Sequence, residues 1–334
     1  MSGERILLAH GGGGELTDNL IREVILSGLG EAAGGSLEDA AVFPAKGSVA
    51  FTTDSYVVNP LFFPGGDLGR LAVCGTVNDL AMRGARPLAL SLAFIIEEGF
   101  LFDDLRRVVE SVRQAALEAG VKILTGDTKV VERGSADGLF VNTAGVGEVV
   151  APREITLCGV RPGDEIIVSG PLGNHAISVL AQREGLSFET VVESDVAPLW
   201  DMVEALMGAV GDDLHALNDP TRGGLAASLN TLSAASGAAI EIEEGAVPVE
   251  PAVAFAAEML GLDVLSLANE GKFVAAVAAG TSDRAISVIS DGEKGAHCAV
   301  IGRARKGAGV SSRTPGGGKR IVEMPYGEDA PRIC

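Results

Sequence analysis

The sequence contains neither an apolar run long enough to cross a membrane nor a pair of closely spaced cysteines. The first apolar run, at residues 6–9, is too short for the core of a signal peptide, so we expect a cytoplasmic protein. The four cysteines are scattered singly, which argues against a zinc site or disulfides. We therefore expect Cys74, Cys158 and Cys298 to be buried, reduced thiols.

Motifs of the common nucleotide-binding and hydrolase folds are missing as well. There is no G-x-x-x-x-G-K-[ST] sequence, and Gly28 and Gly30 lack the full spacing of a dinucleotide-binding loop. There is also no G-x-S-x-G sequence, so the His-Gly-Gly-Gly run at residues 10–13 is not the oxyanion hole of an esterase. The glycines at 11–14 could instead close over a phosphate, although without further context a disordered arm is favoured.

Basic residues are in the minority, since 26 lysines and arginines stand against 45 aspartates and glutamates, for a net charge of −19. This balance argues against nucleic acid and anionic membranes as partners. The segment 303–334 reverses the pattern, with seven basic and three acidic residues. Because residues 311–319 are polar and contain three consecutive glycines, we expect a mobile tether that weak electrostatic attraction keeps near the body.

The sequence does contain enough apolar residues to form the cores of two domains. It has 334 residues, of which 47% are apolar, and 45 glycines. Strand-length apolar runs alternate with helical stretches, which indicates an α/β fold of the α+β type. One strand-length run spans 139–149, and in the second half we expect a helix at 174–183 and strands near 238–242, 263–267, 273–278 and 299–301. We divide the chain into an N-terminal Gly-rich arm with a helix (1–36), a first domain (37–152), a second, mixed α/β domain (153–306) and a flexible tail (307–334).

A series of aspartates lies at the ends of these apolar runs. Each one alone is more often a turn residue or a helix cap, and Asp219 would cap a helix that starts with Pro220. Together they favour a site for Mg²⁺ on a polyphosphate, which requires hard oxygen ligands from several elements. Gly223 and Gly224, beside Arg222, would let a phosphate approach the start of the following helix. The aspartates are Asp39, Asp54, Asp79, Asp127 and Asp219.

Three further residues carry candidate chemistry. Lys129 could neutralise the charge of a transferred phosphate, and Glu270, in a probable strand-turn-strand, could act as a general base. Taken without a family resemblance, both are more often solvent-facing turn residues. Cys334 is the last residue, and its place beyond a polar, glycine-rich segment favours a thiol that enters and leaves a site over a merely frayed end.

In order along nearly the whole chain, these motifs resemble those of the aminoimidazole ribonucleotide synthetase-like (PurM-like) ATP enzymes. Within that superfamily, the terminal Pro331-Arg332-Ile333-Cys334, after Met324-Pro325-Tyr326-Gly327, resembles the hallmark of the HypE family of hydrogenase maturation factors, the carbamoyl dehydratases. The matching runs are Glu38-Asp39-Ala40-Ala41, Asp54, Asn78-Asp79-Leu80-Ala81-Met82-Arg83-Gly84-Ala85, Pro87, Thr125-Gly126-Asp127-Thr128-Lys129 and Asn218-Asp219-Pro220-Thr221-Arg222-Gly223-Gly224.

The resemblance implies a PurM-like subunit that dimerises through the sheet of its N-terminal domain and binds ATP and Mg²⁺ between its two domains. The carbamoyltransferase HypF would place a carbamoyl group on the sulfur of Cys334. ATP-dependent dehydration would then convert that group into a thiocyanate. The HypC and HypD assembly would accept the cyano group, which becomes a cyanide ligand of the iron in [NiFe] hydrogenase.

The resemblance also implies roles for single residues. Cys334 would carry the substrate group, Glu270 would remove a proton, and Lys129 would stabilise the transferred phosphoryl group. The implied metal ligands are Asp54, Asp79 and Asp219, with Asp39 and Asp127 as metal or phosphate contacts. The implied nucleotide contacts are Asp39, Asn78, Asp127, Thr128, Arg222 and Gly223.

Other functions compete with this one. A selenophosphate synthetase would need a reactive Cys and Lys near the N-terminal glycines, where this chain has His10, and a purine or thiamine pathway enzyme would need no terminal thiol. A non-catalytic thiol carrier would not need the array of aspartates. A plain ATP-binding regulatory domain would keep its function after removal of residues 332–334.

Overall fold

The computed structural model of the chain describes residues 4–11, 15–33, 44–186, 190–327 and 332–334. The α-helices in those ranges are α1 (Glu15–Asn19), α2 (Ser27–Leu29), α3 (Leu68–Met82), α4 (Phe102–Glu118), α5 (Asn174–Glu184), α6 (Trp200–Val210), α7 (Gly224–Ser236), α8 (Pro251–Leu260) and α9 (Ser282–Ile289), and a π-helix, Leu20–Leu26, joins α1 to α2. The strands are β1 (Val49–Tyr56), β2 (Phe62–Phe63), β3 (Gly66–Asp67), β4 (Ala85–Glu97), β5 (Lys122–Val131), β6 (Leu139–Val149), β7 (Glu165–Val168), β8 (Leu214–Asn218), β9 (Ala238–Glu243), β10 (Val274–Val277), β11 (Ala299–Lys306), β12 (Val310–Arg313) and β13 (Lys319–Ile321).

The first half forms a four-stranded sheet in the order β1-β6-β4-β5. Helices α3 and α4 pack on one face of it. In α4 the buried side chains recur at helical spacing, as Leu105, Val108, Val109 and Val112, which makes one side of the helix apolar. The other face, called the open face, is left uncovered by the residues that the structure describes, and Phe51 is 70% exposed there.

The second half forms a seven-stranded sheet in the order β13-β12-β9-β11-β7-β10-β8. Because side chains alternate between the two faces of a strand, Ile166 and Val168 of β7 pack in the core that contains α7. Their neighbour Ile167 packs in the core that contains α6 and α9. Helices therefore cover both faces of this sheet, and the prediction of a layered α/β fold is confirmed.

The two halves share a core. Helices α5 and α8 belong to the second half of the chain, yet Ile177 of α5 and Val253 of α8 pack with α3 and α4 in the first core, as does Ile333 from the end of the chain. This packing fixes the position of one half against the other. No helix within the described ranges is both long and apolar enough to cross a bilayer.

Several expectations for local structure were wrong. The predicted strand at 263–267 contains a 3₁₀ helix, Val264–Ser266, because the Asp263 side chain accepts a hydrogen bond from the Leu265 amide at 3.0 Å. Helix α7 begins at Gly224, so Asp219 and Pro220 do not start it. Of the three cysteines expected to be buried, Cys74 is buried, Cys158 is exposed and Cys298 is half-buried.

The tail also differs from the tether expected over residues 311–319. Strands β12 and β13 form a hairpin, and β12 pairs in parallel with β9. The glycines at 316–318 lie in the hairpin turn, which the Thr314 amide closes by donating to the Gly318 oxygen at 2.8 Å. Val310 and Ser312 are buried, and a period of two over so short a polar segment is easily missed in a sequence.

Candidate functional site

Two of the predicted metal ligands, Asp54 and Asp79, lie between the first sheet and helix α3. Asp54 lies within β1, not after it, and its side chain is on the face covered by α3. The hydroxyl of Thr52, on the same face, donates to Asp79 Oδ2 of α3 at 2.7 Å. The hydroxyl of the buried Tyr56 donates to Asp54 Oδ2 at 3.1 Å. One strand and one helix thus hold the two carboxylates together.

Asp219, just after β8, completes a group of repelling carboxylates. Burial, followed by the charges of Asp219 and Asp54, raises the pKa of Asp79 to about 7. Burial and the charge of Asp54 raise the pKa of Asp219 to about 6. Because a nearby cation would relieve this repulsion, the three carboxylates have the electrostatic character of a cation site.

Glu270 lies near the same carboxylates and is 3% exposed. Its pKa is raised well above the ordinary value, first by burial and then by the charges of Asp219, Asp195 and Asp54, whereas Arg222 lowers it. Its Oε1 is buried with no hydrogen-bond partner among the described residues. A buried oxygen without a partner is costly, so this atom is available to a bound group.

The main chain around Glu270 is held by Asp195. One carboxylate oxygen of Asp195 accepts from the Glu270 amide and the other from the Gly271 amide, each at 3.2 Å. The contact requires glycine at position 271, since a Cβ there would lie 1.8 Å from the Asp195 main-chain oxygen. Glu270 therefore projects from a fixed loop and not from the predicted strand-turn-strand.

Asn78 is buried against this loop, although it was predicted to contact nucleotide. Its Nδ2 donates to the Ala197 oxygen at 3.0 Å and to the Glu270 oxygen at 3.3 Å, and its Oδ1 accepts from the Leu199 amide at 2.8 Å. Both donors of the amide are used within the protein. Asn78 thus positions the Glu270 loop against α3.

Asp127, Thr128 and Lys129 lie away from this cluster in the same chain. Strand β5 is the opposite edge of the sheet from β1, and three strand spacings amount to roughly 14 Å. Thr128 is buried, whereas Asp127 and Lys129 point to the open face and bind each other at 3.3 Å. Asp54 faces the covered side. The nucleotide and metal roles of these β5 residues remain predictions.

The start of α7 lies beside the Glu270 loop, as expected for Arg222, Gly223 and Gly224. Gly223 has a φ of +76°, and Gly224 has a φ of +59°. A Cβ on Gly224 would lie 2.5 Å from the Leu267 oxygen, so the helix start touches the segment that leads to Glu270. Asp39 and the glycines at 12–14 lie outside the described residues.

The end of the chain is docked against the strand that carries Asp54. Just after β1, the Val57 amide donates to the Cys334 oxygen at 3.3 Å and the Asn59 amide to the Arg332 oxygen at 3.2 Å. Ile333 is 3% exposed and packs in the first core. Arg183 of α5 donates to the Arg332 oxygen at 2.7 Å. Cys334 is half-buried in this position.

Sequence reasoning missed several residues of this arrangement. Tyr56 and Thr52 follow from the alternation of β1 once Asp54 is placed, so a signal was present. No comparable signal pointed to His175, Ser194 or Asp195. The bond of His175 to Ile333 and the two bonds of Asp195 to the Glu270 loop join residues that are 75 or more positions apart in the sequence.

The described carboxylates suit Mg²⁺ without forming a complete protein cage. Within the described ranges no three His, Cys, Asp or Glu side chains converge as metal ligands. Mg²⁺ in phosphate-transfer sites is usually held by one or two carboxylates, waters and substrate phosphates. The carboxylates of Asp54, Asp79 and Asp219 fit that pattern, as does Oε1 of Glu270, which has no hydrogen-bond partner among the described residues.

Two family models match the chain: the AIR synthase related protein N-terminal domain over residues 37–149 and the corresponding C-terminal domain over residues 161–314. The carbamoyl dehydratase HypE of Cupriavidus necator is 47% identical, over 99% of this chain and 95% of that protein. A crystal structure of the hydrogenase maturation protein HypE in complex with ATP has a TM-score of 0.95 and 46% identity, covering 98% of this chain and 99% of that chain. HypE in a HypE–HypF complex has a TM-score of 0.82 and 44% identity, covering 93% of this chain and 100% of that chain. The chain belongs to the HypE carbamoyl dehydratase family of AIR synthase related proteins.

Proposed function

We propose that this chain is an ATP-dependent carbamoyl dehydratase that acts on a carbamoyl group carried by its own Cys334. The observation that carries the proposal is the docking of Cys334 on Val57. The next residue back, Tyr56, bonds to Asp54 in the carboxylate cluster. The full-length similarity to HypE proteins supports the same reaction.

The reaction converts an S-carbamoyl group, S–C(=O)–NH₂, into a thiocyanate, S–C≡N. The carbon–oxygen bond breaks and two protons leave nitrogen. Magnesium-bound ATP would supply a phosphoryl group that makes the oxygen a good leaving group, so that oxygen ends in phosphate. The protein must therefore hold the carbamoyl group, accept protons and balance phosphate charge.

Glu270 is the proposed proton acceptor. A carboxylate whose pKa is raised by burial is a stronger base than an exposed one once it is ionised. Its loop is fixed by Asp195 and Asn78, so little rearrangement is needed to present the side chain. We assign the proton to Oε1, which is buried and has no hydrogen-bond partner in the part of the chain that the structure describes.

Asp54, Asp79 and Asp219 are the proposed holders of Mg²⁺. The cation would neutralise phosphate charge and lower the raised pKa values of Asp79 and Asp219. Arg222 and Gly223 would face the phosphates at the start of α7. Asp39 stays a predicted contact.

We propose a homodimer formed through the open face of the four-stranded sheet. That face carries Phe51, which is 70% exposed, and Ile95, which is 42% exposed. Large apolar side chains on one open sheet face favour a symmetric partner. Asp127 and Lys129 lie on this face and point away from Asp54 of their own chain. To act in a site with Asp54, they would therefore have to reach the site of the second copy in the dimer.

The proposed partners follow from the family. A HypF-type carbamoyltransferase would load Cys334, in line with the solved HypE–HypF complex. A HypC and HypD assembly would accept the cyano group. The cytoplasmic setting expected from the sequence stays a prediction.

The test is release of phosphate from ATP by the Cys334→Ala variant, with Cys158→Ala as the matched thiol control. Carbamoylated wild type and Cys158→Ala should release phosphate in step with thiocyanate formation. Cys334→Ala should show neither. ATP turnover that is equal in all three proteins, with no thiocyanate, would overturn the proposed function.

A further inference from the structure

The last two residues are each held by a hydrogen bond to their main-chain oxygen. At Cys334, the Val57 amide donates to the main-chain oxygen at 3.3 Å. At Ile333, the main-chain oxygen lies 2.8 Å from Nε2 of His175. His175 belongs to α5 and is completely buried. Its ring packs edge-on against Phe63, with 5.4 Å between ring centroids.

The hydrogen-bond network determines which nitrogen of His175 carries the proton. A peptide oxygen can only accept, so Nε2 must donate to Ile333. Burial lowers the pKa of His175, which favours the neutral ring with Nδ1 as an acceptor. Nδ1 lies 2.8 Å from Ser194 Oγ. The Val196 amide donates to the same Oγ at 3.2 Å, which leaves the Ser194 hydroxyl proton for Nδ1.

We propose that His175 is a positioning residue that latches the terminal peptide in the site and that Ser194 sets its tautomer. The inference rests on the proposed function, because it concerns the seating of the group that reacts. It adds a residue with no metal, nucleotide or proton-transfer role.

The same short segment connects this latch to the proposed base. Ser194 holds His175, and the adjacent Asp195 accepts from the amides of Glu270 and Gly271. The segment is itself anchored, since the Ser194 amide donates to the Pro64 oxygen at 2.8 Å. One short segment therefore contacts both the histidine that binds the tail and the loop that carries Glu270.

Two variants of His175 distinguish its hydrogen bond to Ile333 from its packing in the core. The amide nitrogen of glutamine can occupy the place of Nε2, whereas the shorter asparagine side chain can reach only the place of Nδ1. His175→Gln should keep the bond to Ile333, and His175→Asn should lose it. Both should be folded by far-UV circular dichroism and thermal unfolding before comparison.

The first readout is alkylation of Cys334 by iodoacetamide, followed by mass spectrometry of the C-terminal peptide in the full-length protein. Exposed Cys158 is the internal control. We expect Cys334 in His175→Asn to react roughly tenfold faster than in wild type, and Cys158 to react at an unchanged rate.

The second readout is the rate of single-turnover dehydration of carbamoylated Cys334 at saturating ATP. This rate should fall by about 10- to 100-fold in His175→Asn, because misplacement of a reacting group by about 1 Å slows a reaction by that order. His175→Gln should stay within about threefold of wild type in both, and ATP affinity should not change.

The proposal is overturned if folded His175→Asn matches wild type in both readouts, or if folded His175→Gln is impaired as much as His175→Asn. If wild type itself never loses water, the proposed function fails. The alkylation rates still decide whether His175 holds the tail.

Discussion

The side-chain amide of Asn78 donates a hydrogen bond of 3.3 Å to the main-chain oxygen of Glu270. It thereby joins α3 of the first half to the loop of the second half that carries the proposed base. Since Asn78 lies next to Asp79 in the sequence, one turn of α3 supplies both a carboxylate and a support for Glu270.

Replacement of Asn78 by alanine should lower both stability and activity. It leaves buried partners at Ala197, Leu199 and Glu270 without hydrogen bonds. We expect a loss of about 2–4 kcal/mol in the free energy of unfolding and a lower kcat with little change in KM for ATP. Urea unfolding and steady-state kinetics measure the two effects. A stable variant with normal kcat would show that the Glu270 loop does not depend on Asn78.

The Asp79→Asn variant should change how stability depends on pH. The folded-state pKa of Asp79 is raised from 3.8 to about 7, so its protonated form favours the folded state. That contribution is complete below about pH 4 and is lost as the pH rises through 7. Without Mg²⁺, we expect Asp79→Asn to exceed wild type in stability by about 1–3 kcal/mol at pH 8 and by much less at pH 4.5. Urea unfolding at both pH values tests this, and an equal difference at both would contradict the raised pKa.

The open sheet face can be tested by introducing a charge. Phe51→Glu should weaken association about 100-fold or more, because a carboxylate would have to be buried in the interface. Phe255→Glu, on α8, is the matched control, since Phe255 is also exposed, at 58%. Light scattering after gel filtration gives the masses. If Phe51→Glu still has the mass of two chains, as the control should, the dimer interface lies elsewhere on the protein.

A mixture of two inactive variants tests whether Lys129 acts in a second copy. In a mixed dimer of Lys129→Ala and Glu270→Gln, one of the two sites would contain both wild-type residues. After exchange of subunits we expect about a quarter of wild-type activity, since half of the dimers are mixed and each has one working site. Activity that never rises above that of the separate variants would argue that Lys129 and Glu270 act within one chain.

The parts of the fold that the sequence predicted are those whose signals are local. The strand-length apolar run at 139–149 predicted β6 with its observed bounds, Leu139–Val149, and helix α5 was expected at 174–183 against an observed Asn174–Glu184. The hairpin of β12 and β13 was missed because it is short and polar, and its stability comes from pairing with β9, which is distant in sequence.

The candidate site was predictable where a residue type reveals its chemistry. Asp54, Asp79 and Asp219 stand out as carboxylates near glycine, asparagine or the end of an apolar run. Their proximity, however, depends on the crossing of β1 and α3. His175 and Asp195 could not be assigned in this way, because a buried histidine or aspartate acquires a role only from the main-chain groups that it meets after folding.

The most direct test of the central claim is the mass of the C-terminal peptide after each step of the reaction. The full-length protein is incubated with a HypF-type carbamoyltransferase, carbamoyl phosphate and ATP, and then with Mg²⁺ and fresh ATP. We predict that Cys334 first gains one carbamoyl group and then loses one water, and that the loss requires hydrolysable ATP. A Cys334 that stays unmodified while ATP is consumed on another substrate would contradict the account.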